Sequence, residues 1–273
     1  MFDGLLLGFL SGLVQGITEW LPISSKTLLF FIYYAWGVSA VDSYILSIVL
    51  NGSTGIAPII YFKKELSRMV KKFPEIFSGR EDGDLKVVKF LLFSSIVTGL
   101  VGVPLSLIPL SILTNLSARS TLIMIGTLLL LTALLNLWRM NIDKEERRFY
   151  DVRMKDALIV GFSQAFSVLP GISRSGITIL TLVLLGFKVE DSLILSFLMS
   201  IPVTLGGSLY MYLASPRVLG SLQPYELLIP IITALTISIP VISFLIKLSK
   251  RFKAHIFLFG LSILTILSGL FST

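Results

Sequence analysis

The chain alternates long uncharged apolar runs with short basic connections. Six windows are long enough to be membrane spans: Ser43–Phe62, Phe90–Leu110, Ser120–Trp138, Ser192–Ala214, Leu227–Ile246 and Ile256–Phe271. A helix crossing the hydrocarbon core needs about 20 predominantly apolar residues. Backbone polar groups in lipid must pair within the protein, and runs this long without alternation exclude barrel strands, so each window predicts an α-helix. Two further apolar regions are broken. Leu5–Val14 leads into "TEWLPISSK" and then "TLLFFIYYAW", while Ala157–Val168 and Gly176–Phe187 flank "LPGISRSG". Neither half of either region can span a bilayer alone. They predict re-entrant hairpins, which are tolerated at membrane depth only where protein or a wet cavity shields the backbone.

The two broken regions resemble each other. Gly12, Gln15, Thr18, Ile23 and Ser24 match Gly161, Gln164, Ser167, Ile172 and Ser173 at a constant offset of 149, with the Leu-Pro pair displaced by one position. Each half of the chain then holds one hairpin and three spans. Three is odd, so the second half must lie inverted relative to the first. Inverted repeats with paired broken helices are a recurrent transporter architecture. The expected fold is an all-α integral membrane protein of six transmembrane helices plus two re-entrant helical hairpins, with repeats at 1–140 and 141–273.

Charge adds orientation. Of the 23 basic residues, 19 fall in connections that can share one membrane face, and the opposite connections hold only Arg119 and Arg217. By the positive-inside bias the basic loops are cytoplasmic, which puts the N-terminus and the first hairpin on the outer side of the cell membrane. The net charge of +7 therefore reports orientation and anionic-lipid contact, and no nucleic-acid partner is expected. The composition agrees, with 54% hydrophobic and 14% charged residues and a mean hydropathy of +0.89. Met1–Val14 lacks a basic start and carries Asp3, so no cleaved secretory signal is expected. The absence of cysteine excludes thiol catalysis and disulfides, and the single histidine, His255, reads as an interfacial residue at a helix start and excludes a His-rich metal site.

Ionisable residues at membrane depth are costly and normally line a cavity or pathway. Within the apolar regions only Glu19, Lys26 and Arg174 qualify, and all three lie in the broken segments. An ion pair locking the two segments together is the simplest reading. The surrounding hydroxyls of Thr18, Ser24, Ser25, Thr27, Ser173, Ser175 and Thr178 favour a functional cluster instead. Arg174 offers a planar fork of donors suited to phosphate oxygens. A new half-helix begins just after each turn, and the free amides at a helix N-terminus attract anions. Gly171 and Gly176 would let backbone approach such a ligand closely, and the serines are also suited to capping the half-helices. Together with Lys26, these features predict a phosphate or diphosphate site within the membrane. A serine hydroxyl could attack phosphorus there, with Glu19 as base or as ligand to a divalent cation such as Mg²⁺ or Ca²⁺.

At these residues the sequence resembles the undecaprenyl-diphosphatase, or bacitracin-resistance, family. The resemblance covers essentially the whole chain and is carried by "GLVQGITEWLPISS" and "LPGISRSGIT". It implies six spans with two inverted hairpins, and hydrolysis of a polyprenyl diphosphate to the monophosphate, which recycles the lipid carrier of envelope glycan synthesis. Position by position it implies Glu19 as the motif glutamate, Ser25 as the nucleophile and Arg174 as the diphosphate clamp. Gln15 stands where glutamate is frequent, and Ser24, Ser173, Ser175 and Thr178 complete the motifs. In one departure, Leu28 stands where the family usually has histidine, leaving Glu19 as the only acid or base of the first motif. The expected partners are a polyprenyl diphosphate and the membrane, with self-association as a further expectation. The alternative reading is a non-hydrolytic transporter or flippase of polyprenyl phosphate.

Overall fold

The computed structural model describes residues 2–76, 82–106, 146–169, 172–220, 222–251 and 254–271, with single positions at 123, 127, 130 and 134. Among the described residues the regular elements are helical. They are α1 (Phe2–Thr18), α2 (Ser25–Ala35), α3 (Ala40–Tyr61), α4 (Lys63–Lys72), α5 (Gly83–Ser106), α6 (Met154–Ala165), α7 (Arg174–Leu184), α8 (Val189–Ala214), α9 (Pro216–Gly220), α10 (Pro224–Arg251) and α11 (Ala254–Phe271). Four of them, α3, α5, α8 and α10, are long and apolar enough to cross a membrane, and shorter apolar helices occupy α1, α7 and α11. The expected span Ser120–Trp138, the side chain of His255 and Gly171 lie outside the described residues.

Two helices outrun their apolar windows at one end by five residues or more. Helix α5 begins at Gly83 rather than Phe90, and α10 continues past Ile246 to Arg251. The added turns carry Asp84, Lys86 and Lys89 at the start of α5, and Lys250 and Arg251 at the end of α10. Hydropathy rejects such residues, but a helix end accepts Asp84 near an N-terminus and Lys250 and Arg251 near a C-terminus, where they complement the helix dipole; the dipole favours neither Lys86 nor Lys89. Asp82 adds a cap: it accepts from the Leu85 amide at 2.8 Å and pairs with Lys72 of α4 at 2.7 Å. The hydrogen bond from Lys72 holds the Asp82 carboxyl below its ordinary range.

The two broken segments end alike. Helices α2 and α7 each have 11 residues, and their bounds differ by 149 at both ends. Each closes on a left-handed glycine, Gly37 at φ +87° and Gly186 at φ +91°. Val38 and Gly37 donate to the Tyr33 and Tyr34 carbonyls, and Phe187 and Gly186 donate to those of Leu182 and Val183. These paired bonds satisfy the last free carbonyls of the helix, and only glycine takes that conformation without strain. Arg147 reinforces the second end. Its guanidinium lies 4.2 Å over the Phe187 ring, donates to the Leu185 carbonyl at 3.2 Å and pairs with Asp156 of α6.

Three long packings build the body: α1 along α10, α3 along α8, and α5 along α6. Close approach at two of these crossings depends on glycine. A Cβ on Gly12 would stand 2.6 Å from the Pro230 carbonyl oxygen, and one on Gly161 would stand 2.5 Å from that of Ser94. Both neighbours are backbone and cannot rotate away. Gly12→Leu and Gly161→Leu are each expected to destabilise the protein by about 1–3 kcal/mol or more through overpacking. A lowered melting temperature in detergent reads this, with Gly220→Ala, where no described atom would meet a Cβ within 4 Å, as control. Around the breaks the core is dense: Trp20 is fully buried and meets Phe197 of α8 edge-on, with ring centroids 5.1 Å apart.

Candidate functional site

The two helix breaks lie against each other, and most of the polar residues predicted from sequence meet at their contact. Helix α1 stops at Thr18, and Pro22, which cannot continue the amide ladder, sits in the turn before α2. Helix α6 ends at Ala165, a 3₁₀ turn follows at Phe166–Val168, and α7 starts at Arg174. The breaks are joined through backbone oxygens. Ser175 donates to the Leu21 carbonyl at 2.6 Å, Ser173 donates to the same oxygen at 3.3 Å, and Lys26 donates to the Ser167 carbonyl. Thr265 of α11 donates to the Pro22 carbonyl at 3.2 Å.

Glu19 is the centre of the cluster. One carboxylate oxygen accepts from Arg174 at 3.0 Å. The other accepts from Ser25 Oγ at 2.7 Å and from Gln15 Nε2 at 3.0 Å. Glu19, Ser25 and Arg174 are only 5%, 5% and 6% exposed, so these are interior contacts with little solvent screening. Arg174 completes its fork by donating from Nη1 to the Ser196 carbonyl of α8 at 2.9 Å, and its guanidinium carbon lies 5.8 Å from the Trp20 ring centre. Its Nε has no partner among the described residues. The ion pair foreseen between the segments is present, therefore, but it forms within a wider network that also holds a hydroxyl against the carboxylate.

The remaining candidates fall into three groups. Lys26 faces the second break and lines a cavity with Glu19 and Arg174. Ser24, Ser25 and Ser173 line a small crevice between the two helix starts. Thr178 lies behind Arg174 and shares a 2.6 Å hydrogen bond with Ser196 Oγ, whereas Thr18 turns back to the Val14 carbonyl at 2.7 Å. Capping differs between the two starts. Ser173 accepts from the Gly176 amide at 3.2 Å, as expected of an N-cap. Ser24 holds the N-cap position of α2 without a side-chain cap bond, because its hydroxyl is engaged with Thr27 Oγ1 at 2.9 Å. At Gly176 the close neighbour is protein: a Cβ there would stand 3.2 Å from Pro22 Cβ, so its bareness lets the two turns pack.

Uncharged polar residues inside the spans complete the network, and a search restricted to charges passes over them. Gln15 Nε2 also donates to Asn51 Oδ1 at 2.8 Å and lies 3.3 Å from Thr54 Oγ1, both on α3. The "NGST" at Asn51–Thr54 within an otherwise apolar span was the available signal. Across the cavity, Gln164 donates to Thr98 of α5 at 2.9 Å. No group of three acidic, histidine or cysteine side chains suited to a metal occurs among the described residues.

Long apolar helices around a buried, charged and hydroxyl-rich centre define a multi-pass helical membrane protein with its polar chemistry in the interior. The family model described as bacitracin resistance protein BacA matches residues 8–267, and the chain belongs to that family. A relative from Saccharolobus solfataricus named undecaprenyl-diphosphatase is 35% identical over 98% of this chain and 96% of its own length. Proteins of the same name from Saccharolobus islandicus and Methanococcoides burtonii are 36% and 32% identical, over 92% and 94% of this chain and 90% and 95% of their own lengths.

Proposed function

We propose that this protein is a membrane phosphatase that hydrolyses a polyprenyl diphosphate of the undecaprenyl type to the monophosphate, recycling the lipid carrier of envelope glycan synthesis. The observation that carries the reading is the Ser25–Glu19–Arg174 array. It places a hydroxyl, a carboxylate able to take its proton and a guanidinium within hydrogen-bond reach across two helix breaks. The names of the relatives point to the same reaction.

In this mechanism Ser25 Oγ attacks the terminal phosphorus as its proton passes to Glu19. The bond from that phosphorus to the bridging oxygen breaks, and the prenyl monophosphate leaves with the bond electrons. Water then attacks the phosphoserine, releasing inorganic phosphate and restoring the serine. Arg174 and Lys26 neutralise the equatorial oxygens, which is most of what a loose phosphoryl-transfer transition state requires. Substrate must first draw Arg174 away from Glu19, and its phosphate oxygens take the place of the carboxylate on the fork. Gln15, Ser24, Thr27, Ser173 and Ser175 hold the site's walls and the remaining phosphate oxygens. With Leu28 at the position where the family usually has histidine, Glu19 is the base of this reaction.

A divalent cation is compatible with this donor set. Glu19 is the one carboxylate, and the amide oxygen of its neighbour Gln15 is buried without a partner among the described residues. These two oxygens would hold Mg²⁺ or Ca²⁺ together with oxygens of a bound diphosphate. The cation would supply charge neutralisation.

The proposed architecture has six spans and two re-entrant hairpins, α1–α2 and α6–α7, in two inverted repeats, with the basic connections cytoplasmic. Support comes from the offset of 149 shared by the α2 and α7 bounds, by Gly37 and Gly186 and by the starts of α3 and α8. The α1–α10 and α6–α5 packings are counterparts under the same repeat.

The test is phosphate release from a polyprenyl diphosphate by purified protein, with Mg²⁺ or Ca²⁺ and after chelation. Release is expected with the cation and should fall at least about tenfold without it, as loss of a charge-neutralising group implies. No release above an Arg174→Ala control would sink the enzyme. Leaflet-to-leaflet movement of a labelled lipid phosphate in its place would establish the transporter.

A further inference from the structure

The cavity that reaches Glu19, Lys26 and Arg174 extends well beyond the polar cluster. It encloses about 360 Å³ and continues between the C-terminal halves of α5 and α8. Its walls change character along the way. The inner end carries the charged groups with Asn51 and Gln164, and the outer arm is built from Val103, Val203, Tyr210 and Met211 together with four glycines. Two of these, Gly99 and Gly102, lie on α5, and Gly206 and Gly207 face them from α8. At Gly99, Gly206 and Gly207 no described heavy atom stands within 4 Å of where a Cβ would be, and at Gly102 the nearest is 3.6 Å away. These glycines therefore differ from Gly12 and Gly161, where bareness serves helix contact. Here, among the described residues, it leaves open space.

Two side chains indicate that this space takes a ligand. Gln164 is fully buried and lines the cavity, yet its amide oxygen has no partner among the described residues. Arg174, 6% exposed, lines the same cavity with its Nε unpaired. A native interior rarely leaves polar atoms without partners unless a ligand or water completes them. The Arg174 Nε–H can donate to an anionic head and the Gln164 oxygen can accept from a water beside it; joined to an apolar arm, this end is the complement of an amphiphile with a compact anionic head.

Resting on the phosphatase reading, we infer that the glycine-walled arm between α5 and α8 receives the prenyl chain next to the diphosphate, and that Gly99, Gly206 and Gly207 set its width. At 360 Å³ the cavity is near the small end of the roughly 300–1,000 Å³ usual for small-molecule sites. It takes the head group and the first isoprene units, and the rest of a long chain lies in lipid. The protein thus reads the branched, unsaturated start of the chain and not its full length. A leucine at any of the three positions would fill the arm without breaking a helix, since leucine favours helix more than glycine does.

Two readouts test this on the purified full chain. The first is photolabelling with a geranylgeranyl diphosphate analogue carrying a diazirine on the isoprene nearest the diphosphate. Label is expected on the stretches 99–106 and 203–211, and competition by unlabelled geranylgeranyl diphosphate should remove it. The second compares kcat/KM for geranylgeranyl diphosphate with that for dimethylallyl diphosphate in Gly99→Leu, Gly206→Leu and Gly207→Leu. The ratio should fall at least about tenfold, the scale on which a pocket discriminates added or missing hydrocarbon. Label confined to other helices, or a ratio unchanged in all three variants, would overturn the inference. If the unmodified protein hydrolysed neither diphosphate, the phosphatase reading would fail, and the position of the label would still decide the groove.

Discussion

Arg174→Ala is expected to lower kcat/KM for a polyprenyl diphosphate by at least about 10²–10³-fold, the usual cost of removing one preorganised donor from a transition-state oxygen. Arg174→Lys is expected to recover little of it. The guanidinium spans two partners at once, Nη2 on Glu19 at 3.0 Å and Nη1 on the Ser196 carbonyl at 2.9 Å. A lysine offers one ammonium at a different reach, so it can keep one partner and not the planar fork. Stability should change as well. Breaking a buried ion pair from one side costs about 3–5 kcal/mol because the other charge is left uncompensated. Here the loss should fall toward the lower figure, since Glu19 keeps its bonds from Ser25 and Gln15. Kinetics on protein shown to be folded separate the two effects. Full phosphate release from folded Arg174→Ala would remove arginine from the chemistry and leave it as a clamp between helices.

That such a residue could be chosen from sequence follows from the cost of charge in hydrocarbon. An ionisable side chain in an apolar run must be answered by something, so Glu19 and Arg174 declared themselves, and they do meet. The two breaks were legible for the same reason: at Pro22 and around Ser173 they interrupt hydrophobic runs that have no other cause to stop. The shared glycines Gly37 and Gly186 belong to the same pattern, yet a glycine in an apolar stretch is too common to be noticed before its φ angle is known. Less legible were Asn51, Thr54, Thr98 and Ser196. Uncharged polar groups can satisfy themselves on their own helix, as Thr54 does on the Asn51 carbonyl at 2.7 Å, so their presence in a span carries little information until a partner is seen. The direction of Lys26 was not legible either. Sequence placed it beside Ser25, whereas which carbonyl it reaches depends on how the second break packs against the first.

The sharpest question concerns Ser25, and magnitude can answer it. In the structure its hydroxyl donates to Glu19 at 2.7 Å. If that bond only orients the carboxylate, which then activates a water, Ser25→Ala removes one hydrogen bond to a charged group. Such a bond is worth about 1.5–3 kcal/mol, or roughly 10- to 150-fold in rate. If Ser25 is the nucleophile, the covalent route is gone, and the loss should exceed about 10³-fold. We expect the larger loss, because the hydroxyl already has the geometry of a nucleophile held by its base. Acid-quenched wild-type protein should then carry phosphate on Ser25 during turnover, and Ser25→Ala should carry none. A loss within 150-fold and no phosphoserine would assign the attack to water, with Glu19 unchanged as its base. The position of Leu28 makes the experiment more informative here than in a chain with histidine at that place. With no second base in the motif, the rate left in Ser25→Ala measures what Glu19 and Arg174 achieve with water alone.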